Sequence, residues 1–133
     1  MNDLPELLET TEPIRQATGL IFTEGPVWHP DDIWYFNDIR PGTMYRMRLG
    51  AEPEMLRKTE GDNGMTFDLK GRLVQCEGEG NRITRQELDG RVTTLVDGFE
   101  GGRFNRPNDI ICHSDGVSIS ATHLCEFPSW NAN

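Results

Sequence analysis

Three short segments of this chain repeat one layout, an oxygen-bearing side chain at the head of a brief apolar run. They are Glu24-Gly25-Pro26-Val27-Trp28, Asn63-Gly64-Met65-Thr66-Phe67-Asp68 and Arg106-Pro107-Asn108-Asp109-Ile110-Ile111. Their heads stand roughly 40 to 45 residues apart, the period of a β-propeller built from four-stranded blades. The innermost strand of each blade lines a central channel. A donor oxygen at the head of each such strand therefore points toward a common place.

The residues between these heads read as blades. Short β-type runs at 26–29, 33–37, 43–49 and 54–58 are separated by turn signals at Pro30-Asp31-Asp32, Arg40-Pro41-Gly42 and Gly50-Ala51. The second blade follows as 64–68, 72–76, 82–88 and 91–96. Asp89-Gly90 between its last two strands is a strong hairpin signal. Residues 97–105 form a glycine-rich connector, and a third blade opens at 108–113. The expected architecture is all-β, an incomplete six-bladed β-propeller of about two blades and the start of a third. Residues 1–18 form a lead-in, 19–116 the blades, and 117–133 a tail without the alternation or turn spacing of the rest.

Composition narrows the function. The chain of 133 residues carries 22 acidic and 13 basic side chains, a formal net charge of -9. Nucleic acid, which needs a basic surface, is excluded as a partner. No apolar run is long enough for a membrane span, and the acidic start, Met1-Asn2-Asp3-Leu4-Pro5-Glu6, lacks a secretion signal. The expected location is cytoplasmic. Cys76, Cys112 and Cys125 have no metal-ligand spacing and read as free thiols.

Trp28, Trp34, Tyr35 and Phe36 read as blade core. His29, His113 and His123 are not spaced as ligand pairs. The loop Glu77-Gly78-Glu79-Gly80 lacks calcium-loop spacing and reads as a solvated hairpin loop, while 98–104 lacks a nucleotide-binding glycine pattern. Glu24 before Gly25-Pro26 can be an ordinary turn carboxylate, and Asn63-Gly64 an ordinary turn pair.

In its Glu-Gly-Pro-Val-Trp motif at 24–28, its Asn-Gly-x-x-Phe-Asp-x-x-Gly-Arg-Leu segment at 63–73 and its Arg-Pro-Asn-Asp at 106–109, the chain resembles the SMP-30/gluconolactonase family of regucalcin-like lactonases. Asp115-Gly116 extends the match, which covers roughly residues 19–116. The resemblance implies a six-bladed propeller with one divalent cation in the channel and hydrolysis of a sugar lactone or similar small ester. Calcium is the first expectation for the cation, with magnesium, manganese or zinc as alternatives.

By the same resemblance Glu24 is a metal ligand, Asn108 serves metal or substrate, and Arg106 and Asn63 bind substrate, Asn63 from the channel wall. Carboxylate and amide oxygens suit a hard cation, and an arginine fork suits a sugar hydroxyl or carboxylate. The family's general-base Asp and a later Asn ligand match nothing in this chain, so no catalytic residue is assigned and the chain alone is expected to be inactive. The same scaffold hydrolyses phosphoesters in distant relatives. A reading from another class is a non-catalytic propeller fragment used for binding or assembly, self-associating through unpaired blade edges.

The tail departs from the family. After Asp-Gly the family continues with a strand ending in Asp-Pro-Pro, whereas here Val117-Ser118-Ile119-Ser120-Ala121-Thr122-His123 follows. A frameshift after about residue 116 accounts for this: permitted codon choices for Gly116–Asn133 spell, in the neighbouring frame, a Phe-Ser-Asp-Pro-Pro strand. The DNA downstream of Gly116 tests that expectation. Several hundred Å² of wet blade face at about 25 cal/mol per Å² forfeits on the order of 10 kcal/mol. Poor stability of the isolated chain is expected.

Overall fold

The computed structural model describes residues 12–116 and 118–123. The leucines of the lead-in at positions 4, 7 and 8, the thiol of Cys125 and the end of the tail lie outside the described residues. Among the described residues there are twelve strands and no helix.

Blade 1 is the antiparallel sheet β1 (Thr23–His29), β2 (Ile33–Asp38), β3 (Thr43–Met47) and β4 (Glu54–Lys58), paired in that order. Blade 2 repeats it with β5 (Asp62–Phe67), β6 (Leu73–Glu77), β7 (Arg82–Gln86) and β8 (Val92–Val96). A small hairpin of β9 (Gly98–Phe99) and β10 (Gly102–Arg103) occupies the connector. Blade 3 begins with β11 (Asn105–Cys112) paired to β12 (Ser118–His123), so a strand stands inside the segment set apart above as a tail.

Short-range chemistry explains the turns. The Asp68 carboxylate accepts from the Lys70 and Arg72 amides, each at 2.9 Å, and from Arg72 Nε at 2.8 Å. Asp89 repeats the device, accepting from the Arg91 amide at 3.0 Å and its Nε at 2.7 Å. Gly71 and Gly90 supply the left-handed residues at φ 72° and 86° that let each chain reverse. The Asp-x-x-Gly-Arg part of the family-like segment is thus a turn rather than a site.

Two apolar clusters join the blades. Met44 of blade 1 buries against Met65 and Leu73 of blade 2, with Val27, Tyr35, Leu56 and Phe67 around them. Val74, Cys76 and Ile83 of blade 2 bury against Ile110 of blade 3, with Phe104 alongside. Complete burial of an aliphatic side chain contributes about 1.5–3 kcal/mol, so these few contacts set how the blades stack. Strand β5 lies between β1 and β11, which makes the three strand heads neighbours.

Several sequence expectations shift. Trp28 is half exposed rather than core, while Phe36 is buried. Glu77 is not in a solvated loop. It is the last residue of β6, buried, with Oε2 accepting from Arg82 Nε and Oε1 from the Thr84 hydroxyl at 3.1 Å.

Candidate functional site

The three strand heads occupy equivalent places. Gly25 has φ 59°, and a methyl group on it would come within 2.2 Å of the Asn63 carbonyl oxygen. A methyl group on Gly64 would come within 2.6 Å of the Asn108 carbonyl oxygen. The same close backbone approach therefore repeats from blade 1 to 2 and from blade 2 to 3. It requires a residue without a side chain at the first two heads. Pairing with the neighbouring strand is irregular beside each head, between Glu24 and Val27, between Asp62 and Met65, and between Pro107 and Asp109. Such bulges re-aim side chains where a sheet approaches a site.

The amides of Asn63 and Asn108 meet, Asn63 Nδ2 donating to Asn108 Oδ1. Asn108 Nδ2 donates in turn to Asp109 Oδ2 at 3.3 Å. Asn63 is fixed from behind, because Asn37 Nδ2 of blade 1 donates to its backbone carbonyl at 2.8 Å. Asn37 is completely buried. The Asn63 side-chain oxygen is buried and has no hydrogen-bond partner.

Arg106 joins this pair. It sits at φ 50°, its amide donates to Asn81 Oδ1 at 3.0 Å, and its exposed guanidinium stands 3.8 Å from Glu79. Asn63, Asn108 and Arg106 line one recess of about 160 Å³ with Ile39, Gly61, Gly78, Glu79 and Pro107. Glu24 does not line that recess. It is half-buried and borders a larger apolar cleft on the outer face of blade 1, with Trp34 and Phe36. Among the described residues no three His, Cys, Asp or Glu side chains gather as a metal cluster. The oxygens at the recess, the Asn108 amide with the Glu79 and Asp109 carboxylates beside it, fit part of a hard-cation donor set but do not complete one, and Glu24 stands outside it.

Sequence reasoning passed over three groups. Asn37 carried one signal, a polar residue ending the apolar run Ile33–Phe36. Glu79 carried none beyond its loop. Asp62 is wholly buried, its Oδ2 accepting from Arg57 Nη2 at 3.0 Å and Gln75 Nε2 at 2.6 Å, and its Oδ1 has no partner. Burial pushes its carboxyl up to about 7 against the pull of Arg57. Burial likewise pushes the Cys76 thiol up to about 12, with Asp109 adding to the effect. Two histidines stand apart from the recess: His29 packs edge-on against Phe67, and His113 lies in the turn after β11.

No helix of the described residues is long and apolar enough to cross a membrane. No curated protein matches the chain. Among solved structures, a gluconolactonase from Xanthomonas campestris is 32% identical with a TM-score of 0.71, over 80% of this chain and 36% of that one. A gluconolactonase candidate is 30% identical with a TM-score of 0.72, over 79% of this chain and 37% of that one. Virginiamycin B lyase from Staphylococcus aureus, at 12% identity and a TM-score of 0.61, covers 76% of this chain and 34% of its own, a likeness of fold alone. The chain spans little more than a third of the gluconolactonase structures it matches. The family model described as the SMP-30/gluconolactonase/LRE-like region matches residues 22–130, running into the segment set apart as a tail. With three strand heads in one repeated geometry and that match over most of its length, this chain is a member of the SMP-30/gluconolactonase family, folded as part of a β-propeller.

Proposed function

We propose that this chain carries the first blades of a metal-dependent sugar-lactone hydrolase and is inactive by itself. The observation that carries the reading is the shared recess of Asn63, Asn108 and Arg106 at the strand heads of a gluconolactonase-family chain. A divalent cation, calcium first, would be held by Glu24 and Asn108 together with oxygens beyond those gathered here. When bound, it supplies Lewis-acid polarisation of the lactone carbonyl.

The chain's own residues supply recognition. Arg106 extends, exposed, from the start of β11 and offers forked donors to a ring hydroxyl or a carboxylate. Asn63 lines the recess, and its amide nitrogen holds Asn108 in place. Asn37 keeps Asn63 from swinging away. A general base must come from outside this set, which is why the isolated chain is expected to be inactive.

The test uses a full-length version carrying this sequence as its first blades. Glucono-lactone hydrolysis should stop on chelation and return with calcium, and Glu24→Gln should lower cation affinity at least tenfold. Arg106→Ala should raise KM more than it lowers kcat. Activity that survives both chelation and Glu24→Gln would overturn the metal assignment. A phosphotriester hydrolysed faster than any lactone would overturn the substrate class. Lactonase turnover by the 133-residue chain alone, at the full-length rate, would overturn its inactivity.

A further inference from the structure

Among the described residues both ends of the blade stack are unpartnered, and the two ends are complementary. Toward blade 2, blade 1 presents Val27, Tyr35 and Met44, which pack on Met65, Leu73 and Phe67. Strand alternation sends their neighbours to the other face. There Pro26, Trp34, Phe36 and Met47 line an open apolar cleft of about 460 Å³ with Leu20 and Leu49. At the far end, Ile110 of blade 3 buries against blade 2, so Ile111 points the opposite way. Ile111 pairs across the sheet with Ile119, and the two are 61% and 59% exposed.

The repeated backbone approach fixes which residues correspond. Counting from Gly25, Gly64 and Asp109, the residues Pro26, Met65 and Ile110 are equivalent, and so are Val27, Thr66 and Ile111. Met65 and Ile110 each bury in the preceding blade, whereas Pro26 has no preceding blade among the described residues. Val27 buries in the following blade, whereas Ile111 has no following blade among the described residues. One end therefore lacks a forward face and the other end is a forward face.

We propose that a second copy of this chain covers both, blade 3 of each copy packing on blade 1 of the other in a closed head-to-tail pair. Two four-stranded sheets and the β11–β12 sheet per copy give a ring of six sheets, within the range in which propellers close. A head-to-tail contact ends in a ring only where its rotation closes, and here the contact is the one already made twice within the chain. Closure would put Glu24, Asn63 and Asn108 of both copies around one axis. The inference concerns assembly and does not rest on the hydrolase reading, so either can fail alone.

Sedimentation of the full 133-residue chain across a hundredfold concentration range tests it. The expected result is a monomer–dimer equilibrium ending at twice the 15.1 kDa chain mass. Leu49→Asp, at a side chain 61% exposed, and Ile111→Glu should each leave monomer with an unchanged circular dichroism spectrum. Mixing the two variants should restore dimer, because one good face remains on each. Monomer throughout, a dimer indifferent to both substitutions, an open ladder of larger species, or no recovery on mixing would each overturn the proposal.

Discussion

Asp62 should make this fold lose stability as pH rises through neutrality. Its side chain is wholly buried at the start of β5, beside the register irregularity, and one carboxylate oxygen has no partner. Desolvation raises its carboxyl to about 7 from an ordinary 3.8, with the Glu77 charge adding to the shift and Arg57 opposing it. The folded state therefore favours the protonated acid. A group of this kind stabilises fully below its unfolded value and loses that contribution as pH rises through its folded value. Between pH 5.5 and 7 the unfolded chain is already ionised at Asp62 while the folded chain is not. At about 1.36 kcal/mol per pH unit, the loss across that interval is about 2 kcal/mol, levelling off above pH 8.

Asp62→Asn removes the titration and keeps the amide shape, so the comparison of the two proteins isolates this one carboxyl. Urea unfolding followed by tryptophan emission, at fixed protein concentration and pH 5.5, 6.5, 7.5 and 8.5, gives the difference directly. Wild type should weaken relative to Asp62→Asn by about 2 kcal/mol from the lowest to the highest pH. The cause is desolvation of one carboxylate, so salt should change the effect little. A difference between the two proteins that stays flat within about 0.5 kcal/mol over the series would refute the reasoning.

Three more outcomes are expected. Gly25→Ala should cost about 3 kcal/mol in the same unfolding assay, from the left-handed backbone and the clash with the Asn63 carbonyl together. Gly71→Ala, equally left-handed but with nothing within 4 Å, should cost only about 1 kcal/mol, and equal costs would remove the argument from close approach. Asn37→Ala should cost about 1–3 kcal/mol by orphaning the Asn63 carbonyl; a neutral result would mean that bond does not hold the blades. Cys76, buried and pushed up to about 12, should resist a thiol reagent at pH 8 in a Cys112→Ser, Cys125→Ser variant until urea is added. Prompt labelling of the native variant would contradict its burial.

What the sequence made legible follows from the range of the forces involved. Strand β4 falls at 54–58 as its alternation and flanking turns predict, and the Asp89-Gly90 reversal sits where a left-handed residue is required, because both depend on residues a few places apart. The hairpin at 98–103 escaped notice because its glycines carry no alternation, and Glu77 because a carboxylate between glycines reads as solvent-facing until Arg82 and Thr84 are brought to it across the sheet. Asn37 and Asp62 were invisible for a stronger reason. Each is buried by contact with elements 13 to 26 residues away, Asp62 at Gln75 and Asn37 at Asn63, and no local pattern encodes a partner of that kind.

The strand heads divide along the same line. Their recurrence every 40 residues or so predicted that Glu24, Asn63 and Asn108 point to a common place; Asn63 and Asn108 line one recess, with Arg106 beside them. Glu24 has the same place in its own blade, yet borders the outer cleft instead. A strand head is enclosed from both sides only when blades stand before and behind it. Asn63 has both, Asn108 has the preceding one, and Glu24 has only the following one among the described residues. Glu24 is therefore the head whose surroundings depend on what covers the Pro26–Trp34 face, and the proposed second copy would supply there the preceding blade that Asn63 and Asn108 already have.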